Sequence, residues 1–136
     1  MSNLKTRTTA LVAALAALAP LGSAATGIAH ASGSAKPKLT IKTQNGDFSG
    51  TIKARSRHCM NNRQVIVFRQ LGSHHNLSVD EEVASDTSSL QNGRGRWDTG
   101  NTGLRDGKRY YAYAPAKGGC KRLFSRTVRT VLDNEQ

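Results

Sequence analysis

Cysteine, proline, aromatic side chains and acids are all scarce in this chain of 136 residues. Its two cysteines form no C-x-x-C pair and its four histidines no H-x3-H pair, which argues against a tetrahedral zinc site. Neither G-x-S-x-G, nor H-E-x-x-H, nor a phosphate-cradling glycine loop occurs, so the common hydrolase and nucleotide motifs are missing. A small secreted ribonuclease would need an acid–base pair such as Glu with His. Beyond the leader, the only glutamates are Glu81, Glu82 and Glu135, none in a strongly strand-like setting. After residue 37 no stretch shows a period of 3.6, which excludes an amphipathic helical body. At 14.6 kDa the chain supports one compact domain and is too short for most cofactor-binding folds.

The one long apolar run lies near the start. Lys5 and Arg7 precede Ala10 to Leu21, and small residues then lead to Ala29-His30-Ala31. That order fits a signal peptide over residues 1–31 cleaved after Ala31, an earlier cut after Ser23-Ala24-Ala25 being the alternative. The run falls short of the roughly 20 residues that a helical membrane span requires. With no cysteine at the cleavage zone and no sorting signal in Val131 to Gln136, the expected product is secreted and extracellular. The expected layout is a leader over 1–31, a linker over 32–37, a β-domain over 38–132 and a tail over 133–136.

Charge is strongly one-sided. Twenty Lys and Arg face nine Asp and Glu, a formal net of +11. Removing the leader takes away Lys5 and Arg7 and no acid, so 105 residues keep a net of +9. Such a surplus predicts salt-sensitive attraction to anionic partners. Both cysteines, Cys59 and Cys120, fall in the exported part, where an even count favours a disulfide over a metal site or a catalytic thiol.

Alternation and turn residues recur at the short intervals of an all-β chain. Lys38 to Thr43 alternates, Asn45-Gly46 supplies a tight turn, and Asp47 to Ala54 completes a hairpin. Arg63 to Gln70 is apolar on both parities through Val65, Ile66, Val67 and Phe68, which marks a central strand covered on both sides. Val79 to Ser88, Arg96 to Thr99, Arg109 to Ala114 and Lys121 to Val131 follow as strands, with a polar loop at Gly72 to Leu77 and turns at Gln91 to Gly95 and Gly100 to Gly107. About seven strands in under 100 residues predict a two-sheet sandwich, with a small barrel as the runner-up.

The order Phe48-Ser49-Gly50, Cys59, Arg63 to Arg69, Ser85-Asp86-Thr87, Gly95-Arg96-Trp97, Tyr110-Tyr111-Ala112, Cys120 and Ser125 to Val128 carries a resemblance. It resembles the small exported single-domain proteins of actinobacteria with an immunoglobulin-like or transthyretin-like sandwich. The resemblance spans Leu39 to Val131 and implies a paired Cys59 and Cys120 and a core holding Val65, Val67, Trp97 and Tyr111. It brings no catalytic residue with it, and the missing motifs lead to the expectation of no metal and no cofactor.

Among candidate sites, His74-His75 sits in the polar loop and is expected to be exposed. His58 adjoins Cys59, but sequence neighbours seldom reach hydrogen-bond geometry with each other. The basic residues make the better case: Arg55, Arg57 and Arg63 bracket Cys59, while Lys117, Lys121 and Arg122 bracket Cys120. A disulfide holds its two Cα atoms about 5–6 Å apart, so bonding would crowd these six cations at one end of the sandwich. The expected protein is a non-enzymatic binder of an anionic cell-wall polymer, the alternatives being an extracellular protein-binding module that uses the Gly72 to Asp80 loop and, behind it, a small secreted hydrolase. Nucleic acid is disfavoured, because export removes it and the tyrosines read as core.

Overall fold

A computed structural model describes residues 35–132. The expected leader, the first residues of the expected linker and the tail at 133–136 lie outside the described residues. Ten strand segments form, β1 (Lys38–Leu39), β2 (Lys42–Gln44), β3 (Asp47–Lys53), β4 (Gln64–Arg69), β5 (Glu81–Thr87), β6 (Ser89–Gln91), β7 (Arg94–Asn101), β8 (Arg109–Ala114), β9 (Leu123–Phe124) and β10 (Val128–Arg129). They build two antiparallel sheets. In one, β1 and β2 share an edge beside β3, followed by β7 and β6; in the other, β9 and β10 share an edge beside β8, followed by β4 and β5.

The difference from seven strands has local causes. Thr40 breaks the first edge: its hydroxyl accepts from the Thr51 amide at 2.9 Å in place of a backbone carbonyl. Ser125 breaks the last edge in the same way, its hydroxyl accepting from the Ala112 amide at 2.8 Å. Between β5 and β6 the chain passes from one sheet to the other at buried Ser88, which adds a short strand, Ser89–Gln91, where the sequence pattern reads none. The true turn is Asn92-Gly93, with φ of 49° and 72°, matching the 51° and 84° of Asn45-Gly46. Both are the positive-φ pairs that a two-residue hairpin demands.

The sheets enclose Leu39, Ile41, Phe48, Ile52, Met60, Val65, Val67, Trp97, Tyr110, Ala112 and Ala114. Phe48 meets Tyr110 across the sandwich with ring centroids 4.9 Å apart. Val65, Val67 and Trp97 occupy the core as the resemblance implies. Tyr111 does not. On β8 the inward set is Tyr110, Ala112 and Ala114, so Tyr111 and Tyr113 lie on the outer face. A strand has a side-chain period of two, and three tyrosines in four positions leave its parity undecided until its partners are known. The apolar run of β4 is indeed central, between β5 and β8.

Two inward positions admit no side chain. A Cβ at Gly50 would stand 2.0 Å from the Thr40 carbonyl oxygen, and one at Gly95 would stand 2.0 Å from that of Met60. Both contacts are with backbone and cannot swing away. Gly50→Ala and Gly95→Ala should each destabilise the domain by about 1–3 kcal/mol in urea denaturation. Gly72→Ala, whose nearest neighbour would be 4.0 Å away, should be neutral within about 0.5 kcal/mol.

Candidate functional site

Cys59 ends a 3-10 turn over Arg57–Cys59 in the loop leaving β3, and Cys120 lies in the loop leaving β8. The two are bonded, with Cα atoms 5.5 Å apart. Closing 61 residues of chain is worth about 4 kcal/mol in the chain-entropy model. The bond brings the two loops to one end of the sandwich. Arg55, Arg57, Lys117, Lys121 and Arg122 are exposed there. Among the described residues the ion pairs are Arg69–Glu81 and Arg69–Asp106, so none of these five is neutralised by a described carboxylate. The sequence has no Asp or Glu from Phe48 to Val79 or from Gly107 to Leu132, which is why the pole stays positive.

Arg63 is a correction. It is grouped above with the surface cations, yet only 1% of it is exposed. Its guanidinium donates to the carbonyls of Cys59 (3.1 Å), Pro115 (2.8 Å) and Lys121 (3.1 Å). Desolvation pulls its pKa below the ordinary value. Arginine nevertheless remains protonated in proteins, so the charge is held by carbonyl dipoles. The main chain of Arg63 is tied to Ser88, whose hydroxyl donates to the Met60 carbonyl at 2.7 Å. Arg63 is thus a clamp beneath the basic pole and no part of its surface.

His58 also departs from expectation. The turn folds its ring back so that Nε2 lies 3.5 Å from Cys59 Sγ and 3.2 Å from the Gly118 carbonyl, while Nδ1 meets Ser56 Oγ at 2.6 Å. Ligand atoms of His58, Cys59 and Cys120 lie within 4.8 Å of one another, but both sulfurs are committed to the disulfide.

The loop with the two histidines holds the largest surprise. His74 is exposed, whereas His75 stacks on Tyr111 with centroids 3.8 Å apart and planes 15° from parallel. His75 Nε2 meets Thr127 Oγ1 at 2.9 Å, and that hydroxyl donates to Gln70 Oε1. Beneath the ring, Asp80 accepts from the Leu71 amide, the Asn76 amide and the Tyr111 hydroxyl at 2.7–2.9 Å. Burial alone would raise the Asp80 pKa; these three donors and the nearby imidazole bring it below the usual carboxylate value. Burial lowers the His75 pKa, with Asp80 pulling weakly the other way. Burial and the Asp80 contact raise that of the Tyr111 hydroxyl.

Around this buried knot spreads an outer aromatic face. Phe68 stacks on Tyr111 (5.6 Å), and Tyr113 meets Phe124 at 4.8 Å. Four of the chain's seven Phe, Tyr and Trp side chains therefore lie outside the cluster between the sheets, two of them buried beneath the loop and its neighbours. Arg122 of the basic pole reaches over Phe124, 6.0 Å from the ring centre. Sequence reasoning missed this face because Phe68, Tyr113 and Phe124 stand on three separate strands. The doublet of aromatics at alternate β8 positions was the one available signal. The opposite sheet presents a polar groove of about 680 Å³ lined by Thr40, Ser49, Thr51, Asp86, Arg96 and Asp98 among others. Its two acids are engaged by main-chain amides, Asp86 by Asp98 and Asp98 by Gly100.

Neither the scan against protein-family models nor the search of curated proteins returns a match for this chain.

Two predictions follow from the buried groups. Arg63→Ala should cost about 3 kcal/mol or more in urea denaturation with the disulfide intact, because it strands three carbonyls. Arg63→Lys should recover only part of this, since it lacks the fork, and Arg57→Ala should stay within about 0.5 kcal/mol. For pH, a lowered His75 means the unfolded chain takes up a proton first, so stability should decline as pH falls through about 6.5. A lowered Asp80 adds a further loss below about pH 4. Thermal melts across this range should show both stages, with His75→Gln removing the upper one and Asp80→Asn shrinking the lower, to which Asp106, also held below the usual carboxylate value by its donors, contributes as well.

Proposed function

We propose that this is an exported, immunoglobulin-like domain that catalyses no reaction and is held at a cell surface by an anionic polymer bound to its disulfide pole. The observation that carries this reading is the pole itself. Five exposed cations stand on two acid-free loops that a disulfide and a buried arginine lock together. A rigid cluster of like charge gives up little conformational freedom on binding, and its field adds over a polyanion in a way that dispersed charges do not.

The disulfide supports a location outside the reducing cytosol. Strand order supports the immunoglobulin-like reading. With β1/β2 as A, β3 as B, β7 as E and β6 as D, an A-B-E-D sheet faces one built from C′, C, F and G at β5, β4, β8 and β9/β10. The Tyr110 hydroxyl near the start of β8 also donates to the Asp106 carboxylate in the preceding loop at 2.8 Å, at the place where such domains put a tyrosine corner, although that corner bonds backbone and this bond goes to a side chain. The bond here joins two loops, unlike the strand-to-strand bond of antibody domains. The described aspartates with resolved contacts, Asp80, Asp86, Asp98 and Asp106, all accept from backbone amides, which favours a structural use over acid–base chemistry.

Binding to a soluble polyphosphate or to isolated cell walls tests this. The triple variant Arg57→Glu, Lys117→Glu, Arg122→Glu should bind at least about tenfold more weakly at roughly 0.1 M salt, with a flatter salt dependence. The control Lys42→Glu, Arg96→Glu, Arg129→Glu makes the same charge change elsewhere and should keep most of the affinity. Retention that survives about 1 M salt, or equal losses in both triples, would refute the reading.

A further inference from the structure

Resting on that reading, we infer that the polymer is a glycan, an anionic polysaccharide whose pyranose ring lies on the outer aromatic face while its acidic group meets Arg122 and Lys121. Tyr113 and Phe124 are the partly exposed rings of this face, 4.8 Å apart and tilted by 36°. Phe124 is 39% exposed at the edge of its sheet. Behind them Tyr111 is fully buried and Phe68 nearly so. His75 pins Tyr111 from the loop side and stands 5.8 Å from Phe124. The two outer rings therefore sit on a packed support and lose little freedom on binding.

Charge complementarity decides the occupant. Lys121 and Arg122 run directly into β9, whose second residue is Phe124, so one residue separates the cations of the pole from the edge of the aromatic face. The Arg122 guanidinium over Phe124 places a positive charge beside an apolar ring face. A sugar carrying a carboxylate, sulfate or phosphate presents the matching pair: polarised C–H groups that pack on the electron-rich face of an aromatic ring, and an anion at the rim. A polymer of phosphate alone would use the cations and leave the rings idle. A protein partner would need about 800 Å² of matched surface, far more than two rings supply.

Four soluble probes separate the possibilities: an oligouronate, a neutral dextran, a polyphosphate of equal charge and single-stranded oligothymidylate. Titration calorimetry on the oxidised protein should show the oligouronate binding about tenfold more tightly than the polyphosphate, and dextran negligibly. Tyr113→Ala with Phe124→Ala should abolish that tenfold advantage and leave polyphosphate binding unchanged. Phe124→Ala alone, at the sheet edge, should remove at least about threefold and serves if the double variant does not fold. Equal binding of oligouronate and polyphosphate, unaffected by the ring substitutions, overturns the glycan and leaves the basic pole standing. Ring-dependent binding of oligothymidylate above the oligouronate, or of dextran at the oligouronate's level, also overturns it. Failure of every polyanion to bind removes the basic-pole reading as well.

Discussion

One buried guanidinium organises the end of this molecule where its charge collects. Arg63 offers a planar fork of donors to carbonyls from two loops that lie more than fifty residues apart in the chain. Desolvating a cation is costly, and only the convergence of these carbonyl dipoles makes it tolerable. The disulfide acts on the same two loops through another route, by restricting the unfolded chain. One device thus stabilises the folded loops and the other penalises the alternatives. Between them they hold mutually repelling cations on short, irregular backbone that has little apolar burial of its own.

The other end is organised by acids. Asp106 accepts from Arg69, Tyr110, Thr130 and the Lys108 amide, and Asp80 plays the corresponding part for the loop after β4. Carboxylates are spent there on loop geometry, whereas the pole near the disulfide has none in its loops to spend. The fold gathers these carboxylates at the end away from the disulfide, where Arg69, Lys108 and Arg109 also lie. It also places the aromatic face of one sheet beside the positive end, through β9.

Much of the architecture was legible because it rests on local rules. The hairpin turn at Asn45-Gly46, the doubly apolar β4 and the even pair of cysteines each have a short-range physical cause. The parity of β8 was not legible, since Tyr110, Tyr111 and Tyr113 offer nearly equal burial on either face and the choice falls to Phe48 across the core. Nor was the fate of Arg63. Flanked by asparagine and glutamine, it looks like any surface arginine, and its burial depends on carbonyls contributed by residues 115 and 121. His75 was hidden for a like reason, its partners Tyr111 and Thr127 lying far along the chain.

What the amino-acid order determined alone is the all-β body, the positions of its turns, the surplus of positive charge and the two sulfurs available for pairing. These follow from backbone preference, side-chain period and composition, which act over a few residues or over none. Which cation is buried, which tyrosine faces outward and which rings gather beside Arg122 were decided only when strands distant in the chain came together. Burial and hydrogen bonding are properties of a neighbourhood, and the neighbourhood exists only in the folded sandwich.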